Sequence, residues 1–376
     1  MSMASSDRSP LDVLVIGGGQ AGLAMGHQLT QGGRRFEIVD AAPEIGHVWR
    51  SRWDSLRLFT SGRYDNLPGL PFPATADAYP GKDDVADYLQ AYAAQFRLPV
   101  RLNTAVTSLT RTDGVYVAKA GQEAITARQV VLATGPFQVP STPRVSAQLH
   151  ADVSQLHSVD YRRPDDLPRG RVLVVGGSNS GCQIALELST THTVELSVSQ
   201  RLPTIPQRPL GRDVWSWATA LHLDRVTAES RLGRRLSKRD QIIGAGPRQL
   251  SRRHAVRLRS RVTGAPGRAV VFADRSTAEY DAVLWATGFT HDNSWIDIPG
   301  VTDEAGRIRQ SRGVTPSPGL YTLGLTWQHT RGSALLGWVG NDAAYLAKQI
   351  AAISALHTSR TAPAPRRRLT HSSRSG

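Results

Sequence analysis

The same glycine turn occurs twice in this chain, and this repeat limits the possible folds more than any other feature. Residues 17–22 read Gly-Gly-Gly-Gln-Ala-Gly, and residues 176–181 read Gly-Gly-Ser-Asn-Ser-Gly. Each turn follows an apolar run typical of a buried parallel strand and precedes a helical pattern. A second apolar strand follows each helix and completes a βαβ unit of about 30 residues. The sequence therefore predicts two dinucleotide-binding units.

The first turn has the complete Gly-x-Gly-x-x-Gly spacing. The first glycine permits a tight turn, the second lets the backbone approach a pyrophosphate, and the third lets helix and strand pack closely. An acid at the end of the second strand is placed to accept hydrogen bonds from a ribose diol. The alternative is a glycine-rich turn without a ligand. We assign six residues to the first nucleotide: Gly17, Gly19, Gln20, Ala21, Gly22 and Asp40.

The second turn has a serine at its middle position, which is small but weakens the match. Arg201 follows the next strand, and a cation at that place suits the 2′-phosphate of NADP rather than NAD. The alternatives are that Arg201 is one more surface arginine, or that Glu195, early in the strand, is the ribose acid. We assign eight residues to the second nucleotide: Gly176, Ser178, Asn179, Ser180, Gly181, Gln200, Arg201 and Thr287.

These units predict an α/β fold of two Rossmann-like three-layer domains, one inserted in the other. Each turn is followed later by a strand that ends in Ala-Thr-Gly, at residues 133–135 and 286–288. We expect residues 8–163 and 283–356 to form the first domain and residues 168–282 to form the second. Residues 357–376 are polar and basic and contain proline, which predicts a disordered tail.

Composition excludes several classes of function. The net charge is +14, but the arginines are spread along the chain, so we interpret them as a solvated surface and expect no nucleic-acid partner. Cys182 is the only cysteine, which excludes an internal disulfide and a cysteine-rich zinc site, and we expect no metal. Its thiol either packs in the core or has a pKa lowered by the helix start. The chain has neither an apolar run long enough to cross a membrane nor a signal-like start, which favours a cytoplasmic protein.

Several segments resemble the class B flavoprotein monooxygenases, in particular a bacterial branch of proteins similar to flavin-containing monooxygenases. Residues 46–50, Gly-His-Val-Trp-Arg, resemble the family's Gly-x-x-Trp segment. Residues 67–73 resemble its proline-aromatic loop, and residues 285–289, Trp-Ala-Thr-Gly-Phe, its ATGF segment. The resemblance implies FAD at the first turn and NADPH at the second. It adds six residues to the FAD site: Val48, Trp49, Arg50, Val106, Gly135 and Gly288.

The resemblance also implies an enzyme, an NADPH- and FAD-dependent monooxygenase. The reduced flavin and O2 would form a C4a-(hydro)peroxyflavin, which passes one oxygen atom to a nitrogen, sulfur or carbonyl carbon of a small organic substrate. The sequence leaves the substrate open, and also the oligomeric state, a homodimer being one option.

Two departures from the family pattern keep other functions open. Phe59 stands where flavin-containing monooxygenases have an asparagine, and Ala151 and Val153 stand where the family fingerprint has phenylalanine and glycine. The first alternative is an NAD(P)H-dependent flavin reductase or oxidase that inserts no oxygen. The second is a non-catalytic nucleotide-binding sensor.

His157, in the same fingerprint, is the candidate catalytic residue, with a role in orienting the linker when NADPH binds. The alternative is a hydrogen-bonded histidine of the connector. Trp215, Trp217 and Trp327 are candidates for the wall of a substrate cavity, although large aromatic side chains more often pack in the core.

Overall fold

The computed structural model describes residues 9–238 and 241–361, with side chains as far as Ala355. The strands are β1 (Leu11–Ile16), β2 (Phe36–Val39), β3 (Val100–Arg101), β4 (Val106–Thr112), β5 (Val115–Ala120), β6 (Glu123–Leu132), β7 (Val139–Pro140), β8 (Ser154–His157), β9 (Arg171–Val175), β10 (Thr193–Ser197), β11 (Thr204–Ile205), β12 (Ile242–Ile243), β13 (Arg257–Arg259), β14 (Val262–Gly264), β15 (Ala269–Phe272), β16 (Thr277–Glu279), β17 (Ala282–Trp285), β18 (Phe289–Thr290) and β19 (Leu320–Thr322). The α-helices are α1 (Gln20–Gln31), α2 (His47–Arg50), α3 (Lys82–Gln95), α4 (Asn179–Leu188), α5 (Val214–Ala220), α6 (Arg231–Leu236), α7 (Pro247–Arg253) and α8 (Val339–Thr361). Within these residues no helix is both long and apolar enough to span a bilayer.

The first sheet has the strand order β3-β2-β1-β6-β5-β4, and β19 pairs with the second half of β6. Strands β3, β2, β1, β6 and β19 are parallel, whereas β4 and β5 form an antiparallel excursion. Because alternate residues of β1 face opposite sides, Val13 and Val15 pack toward the helices. Leu14 and Ile16 pack on the other face with Ile296 and its neighbours.

The second sheet has the order β13-β10-β9-β17-β8, and all its strands are parallel. On one face, Val172 and Val174 of β9 belong to the core that includes α4. On the other face, Val175 packs with Val270 and Phe272 of the antiparallel ladder β14-β15-β16. The predicted α/β class with two Rossmann-like units is confirmed, but strands and loops, rather than helices, cover the second face of each sheet.

The strand pairing departs from the predicted domain boundaries. Residues 154–157 and 283–285 were assigned to the first domain, but β8 and β17 pair with each other and with β9 in the second sheet. The sequence did not reveal β8 because four residues inside a proline-rich connector carry too little periodicity. At the other end, α8 continues to Thr361, past the predicted start of a disordered tail, and residues 362–376 lie outside the described residues.

Candidate functional site

The first glycine turn is closely packed at its two ends and open in its middle. Gly17 has φ +112°, and a Cβ atom there would lie 2.4 Å from the carbonyl oxygen of Ala133. A Cβ at Gly22 would lie 1.8 Å from the carbonyl oxygen of Gly17. A Cβ at Gly19 would meet no atom within 4 Å. The turn therefore has the shape of a cradle that a phosphate group fits.

The start of α1 leaves its backbone donors open at this cradle. Gly19 is the N-cap and provides no side-chain acceptor, so the first N–H groups of the helix, including those of Gln20 and Ala21, are available to an anion. The Gln20 side chain donates to the carbonyl oxygen of Ala334 at 2.8 Å and accepts from Trp49 Nε1 at 3.2 Å. Gln20 thus fixes two distant segments beside the turn.

Asp40 lies beside the cradle, at the end of β2. Its carboxylate accepts hydrogen bonds from the backbone N–H of Gly18 at 2.5 Å and of Ala42 at 2.7 Å. Each oxygen keeps further lone pairs, which suit ribose hydroxyls. The N–H of Thr104 donates to the Asp40 carbonyl oxygen at 2.8 Å, so Val106, two residues later, begins β4 close to this acid.

Of the three residues assigned to FAD in α2, only Trp49 reaches the turn. Val48 is 57% exposed. The Arg50 guanidinium lies 2.6 Å from Asp87 and 3.4 Å from Asp83 of α3, and the hydrogen bond that it donates to Asp87 raises the pKa of Arg50. The structure therefore directs the Arg50 side chain away from the first turn, toward acids that the sequence pattern did not connect with it.

The second turn repeats the geometry of the first. Gly176 has φ +120°, and a Cβ there would lie 2.2 Å from the carbonyl oxygen of Ala286. A Cβ at Gly181 would lie 1.8 Å from the carbonyl oxygen of Gly176. Ser178 is the N-cap of α4, and its side chain makes no capping hydrogen bond. The first N–H groups of α4, including that of Ser180, are therefore also open to an anion.

Asn179 has a supporting role at this turn. Its side-chain amide donates to the carbonyl oxygen of Gln241 at 3.3 Å and accepts from the N–H of Ile243 at 3.0 Å. These bonds join the start of α4 to β12, so the Asn179 side chain is occupied by protein and only its backbone faces the turn.

The polar residues at the end of β10 differ from the single acid, Asp40, at the end of β2. Gln200 and Arg201 lie beyond β10 and are exposed. Glu195 is buried, where its carboxylate accepts hydrogen bonds from Arg259, Tyr280 and Arg171. Burial acts to raise the pKa of Glu195, but these three hydrogen bonds lower it below its ordinary value. Glu195 is therefore a structural ion-pair residue and is unavailable to a ribose.

The two Ala-Thr-Gly segments lead to one junction between the sheets. Strands β7 and β18, which follow them, pair antiparallel. The N–H of Ser141 donates to the carbonyl oxygen of Gly288 at 2.9 Å, and the hydroxyl of Thr287 donates to the carbonyl oxygen of Ser141. Gly135 and Gly288 have φ +73° and +83°, with nothing within 4 Å of a Cβ at either. Both predicted glycines thus leave free space near the junction.

His157 contributes to the same junction through both ring nitrogens. Nε2 lies 3.1 Å from the carbonyl oxygen of Gly288, and Nδ1 accepts from the N–H of Val159 at 3.2 Å. Burial lowers the pKa of His157, which favours the neutral ring that donates from Nε2. With no free ring nitrogen, His157 fits the alternative of a hydrogen-bonded connector histidine that positions the Gly288 segment.

Arg52 is a residue at the junction that sequence reasoning missed. Its guanidinium lies 5.5 Å from the ring centre of Phe289 and 5.9 Å from that of Phe137. Burial, with a smaller effect from nearby Arg162, lowers the pKa of Arg52. No sequence motif identifies Arg52, because Phe137 and Phe289 follow different Ala-Thr-Gly segments and only the folded chain brings them to this arginine.

A cavity of about 520 Å³ opens between the start of α8 and the segment that follows α5. Trp338 and Tyr64 line it, with ring centres 5.7 Å apart and ring planes 11° apart. None of the three tryptophans predicted to line a cavity belongs to its wall, although the ring of Trp215 lies 4.9 Å behind that of Trp338. Trp215, which is 4% exposed, follows the alternative of core packing. A place for Trp217 or Trp327 in a cavity wall stays a prediction.

Two buried ionisable groups lie outside the motifs. Burial raises the pKa of the Cys182 thiol to about 12, so the alternative of a lowered pKa is wrong. Burial also raises the pKa of Asp65 to about 7, with Asp213 adding repulsion. The Thr60 hydroxyl donates to one Asp65 oxygen at 2.6 Å, whereas the other oxygen has no hydrogen-bond partner.

Comparisons with known proteins agree with this geometry. The family model described as pyridine nucleotide-disulphide oxidoreductase matches residues 14–215. A CzcO-like oxidoreductase of Geobacillus kaustophilus is 44% identical over 341 residues, which are 90% of this chain and 98% of that protein. The indole-3-pyruvate monooxygenase YUCCA8 of Oryza sativa is 27% identical, with 90% of each chain covered.

A solved structure extends the comparison to the fold. The flavin-containing monooxygenase from Stenotrophomonas maltophilia superposes with a TM-score of 0.77 at 28% identity, covering 92% of this chain and 100% of that one. The resemblance to flavoprotein monooxygenases and the assignment as an oxidoreductase enzyme are confirmed at the level of the family. The structure of OTEMO in complex with FAD and NADP shares the fold, with a TM-score of 0.69 at 17% identity. The chain belongs to the pyridine nucleotide-disulphide oxidoreductase family and is similar in sequence and fold to flavin monooxygenases.

Proposed function

We propose that this chain is an NADPH- and FAD-dependent monooxygenase of a small organic substrate. NADPH supplies two electrons, one atom of O2 enters the substrate, and the other leaves as water with a proton from solvent. When bound, FAD accepts the hydride and activates O2. The observation that carries the proposal is the carbonyl oxygen of Gly288, which accepts hydrogen bonds from Ser141 and His157. These bonds hold together the segments that follow the two Ala-Thr-Gly segments, one from each nucleotide unit.

The assigned residues divide between the two nucleotides. The open N–H groups of α1 bind the FAD pyrophosphate, Asp40 accepts from its ribose, and Trp49, Val106 and Gly135 border it. The N–H groups of α4 bind the NADPH pyrophosphate in the same way, and Arg201 with Gln200 faces the 2′-phosphate. Thr287 and Gly288 position the segment that follows β17, between the two nucleotides.

The lone cysteine supports oxygen chemistry over disulfide chemistry. Thiol–disulfide exchange requires a thiolate, and the buried Cys182 has a pKa of about 12. One cysteine also provides no second thiol within the chain. A reducing compartment such as the cytoplasm, in which NADPH is available, suits this composition.

The test is the amount of hydrogen peroxide released for each NADPH consumed by the holoenzyme. With a true substrate among amines or thioethers, we expect peroxide to fall well below one equivalent while an oxygenated product accumulates. One full equivalent with every compound would instead establish a flavin oxidase. Phe59 is the observation that favours this second candidate, since its ring packs 6.3 Å from that of Trp215 and offers no hydrogen bond where the resemblance implies an asparagine.

The sensor alternative has a simpler test. Purified protein is mixed with FAD, separated from free cofactor, and examined for flavin absorbance before and after NADPH is added without air. We expect a yellow protein that NADPH bleaches. A protein that stays colourless, or a bound flavin that stays oxidised, would contradict the proposed enzyme.

A further inference from the structure

The 520 Å³ cavity contains opposite charges that do not neutralise each other. Besides Arg63, two guanidinium groups and two carboxylates line it: Arg225, Arg312, Asp224 and Asp342. In the part of the chain that the structure describes, none of the four lies within 4 Å of an opposite charge. Charged groups of both signs are therefore available to a ligand.

Burial makes this lack of partners costly. Asp342 is only 3% exposed. Asp224 Oδ1 and Arg312 Nε are buried atoms without a hydrogen-bond partner. A buried donor or acceptor without a partner costs about 1–3 kcal/mol. Because one orphan is an acceptor and the other a donor, a ligand that satisfies both must carry a donor and an acceptor.

The other ionisable groups around the cavity leave this balance unchanged. Arg63, at the rim, pairs with Asp77 at 3.1 Å. Burial and the neighbouring Arg312 lower the pKa of His329, which favours its neutral ring. Two positive and two negative charges remain. A ligand with a single charge would be attracted by one pair and repelled by the other.

One wall of the cavity is linked through the chain to the first nucleotide turn. The Ala334 carbonyl oxygen accepts from Gln20 of that turn, and Trp338, four residues later, forms the cavity wall. Tyr64 and Trp338 add apolar surface beside the charges. A ligand in this cavity would therefore combine polar ends with an apolar body, and its binding wall would be connected to the first turn through the hydrogen bond between Gln20 and Ala334.

We propose that this cavity binds a zwitterionic small molecule, with one carboxylate, one ammonium group and an apolar body, as the substrate of the oxygen transfer. The guanidinium groups of Arg225 and Arg312 face the carboxylate, and Asp224 and Asp342 face the ammonium. The claim that the bound molecule is the substrate rests on the proposed function. The claim that the cavity binds a zwitterion rests on the cavity alone.

The test compares three probes that share one apolar body. L-phenylalanine carries both charges, 3-phenylpropionate lacks the ammonium, and 2-phenylethylamine lacks the carboxylate. Each is titrated calorimetrically into the oxidised holoenzyme without NADPH. We expect L-phenylalanine to bind about tenfold or more tightly than either relative, a difference of about 1.4 kcal/mol.

Variants identify the groups involved. Arg312→Gln should weaken the binding of L-phenylalanine toward the level of 2-phenylethylamine, whereas 2-phenylethylamine should bind no more weakly than to the parent, because a repelling charge is removed. Arg225→Gln, at an exposed position that the fold tolerates, should act in the same direction. Arg309→Gln, an exposed arginine of the same segment that is absent from the cavity wall, is the matched control and should bind like the parent.

The inference is overturned if a singly charged probe binds as tightly as L-phenylalanine, if no probe binds at millimolar concentration, or if both cavity variants match the control. Because the titration needs no turnover, it is independent of the proposed reaction. Preferential zwitterion binding together with one peroxide per NADPH for every compound would leave the cavity assignment intact and refute the monooxygenase.

Discussion

Gly19 and Gly22 belong to one turn but need to be glycine for different reasons. At Gly22 a side chain would collide with the backbone of Gly17, so the requirement comes from the fold. At Gly19 the space is open, so the requirement comes from the proposed pyrophosphate. The two positions therefore separate folding from cofactor binding.

Alanine substitutions test this separation. Gly22→Ala should lower the free energy of unfolding of the cofactor-free protein by about 3 kcal/mol, because the backbone must shift. Gly19→Ala should cost about 1 kcal/mol as a poorer N-cap, yet weaken FAD binding at least about tenfold. Denaturant unfolding and FAD titration measure the two effects. Parent-like FAD affinity in Gly19→Ala would contradict the assignment of this turn.

Asp65 makes stability depend on pH. Its pKa is about 7 in the folded protein and near 3.8 when solvated, so the folded state holds the proton more tightly. Its contribution is greatest below pH 3.8, decreases as the pH rises toward 7, and is constant above that.

Asp65→Asn removes this dependence and can keep the hydrogen bond from Thr60. We therefore expect the variant to exceed the parent in unfolding free energy by up to about 4 kcal/mol at pH 8, and by much less at pH 5. Denaturant unfolding at both pH values measures the difference. The exposed Asp77→Asn is the control, and an equal gain at pH 5 and pH 8 would refute the assigned pKa.

At this scale the sequence predicts residues whose role depends on near neighbours. Gly17, Gly22 and Asp40 occupy places fixed by spacing along one βαβ unit. Asp65 and Arg52 could not be predicted, since their pKa values depend on burial and on charges from remote segments, such as Asp213 and Arg162.

Among the elements, the short ladder of β7 and β18 connects the two nucleotide units. Ser141 contributes its N–H to Gly288 and its carbonyl to Thr287. Ser141 takes part in both contacts through its backbone alone, and any residue other than proline at 141 preserves these groups.

Ser141→Pro tests the ladder. Removing this N–H should loosen the Gly288 segment and slow the anaerobic reduction of bound flavin by NADPH about tenfold, with FAD still bound. Ser141→Ala keeps both backbone groups and should behave like the parent. Stopped-flow flavin absorbance gives the rate, and an unchanged rate in Ser141→Pro would show that the ladder does not position the nucleotides.

The sequence predicts long elements with clear periodicity and misses short ones. The apolar runs of β1 and β9 and the helical patterns of α1 and α4 marked these elements. The two-residue β7 and β18 and the four-residue β8 exist because partners from elsewhere complete their hydrogen bonds. No local pattern encodes such pairing.

Across the whole molecule, the net charge of +14 favours anionic ligands at long range. NADPH carries one more phosphate than NADH, so its KM should rise more steeply as KCl is increased. Arg201→Ala should reduce this difference in slope, whereas the exposed control Arg252→Ala should not. Steady-state kinetics at several salt concentrations measure the slopes, and equal slopes for the two nucleotides in the parent would contradict the 2′-phosphate site.

The global arrangement follows from the sequence only in outline. Two glycine turns and two Ala-Thr-Gly segments predict two units, because each motif consists of consecutive residues at the end of one parallel strand. The cavity could not be predicted, because its wall combines residues near positions 64, 225, 312, 329 and 341, which only the complete fold assembles.

The shared carbonyl of Gly288 has a consequence for anyone who would transplant or divide this enzyme. Its two donors belong to Ser141 and His157, which precede residues 168–282 in the chain, whereas Gly288 follows them. A chimera that exchanges residues 168–282 alone would cut through the sheet and leave β8 and the ladder with the host. A workable graft would have to carry residues 139–290 as one piece, so coenzyme preference and junction geometry would be inherited together.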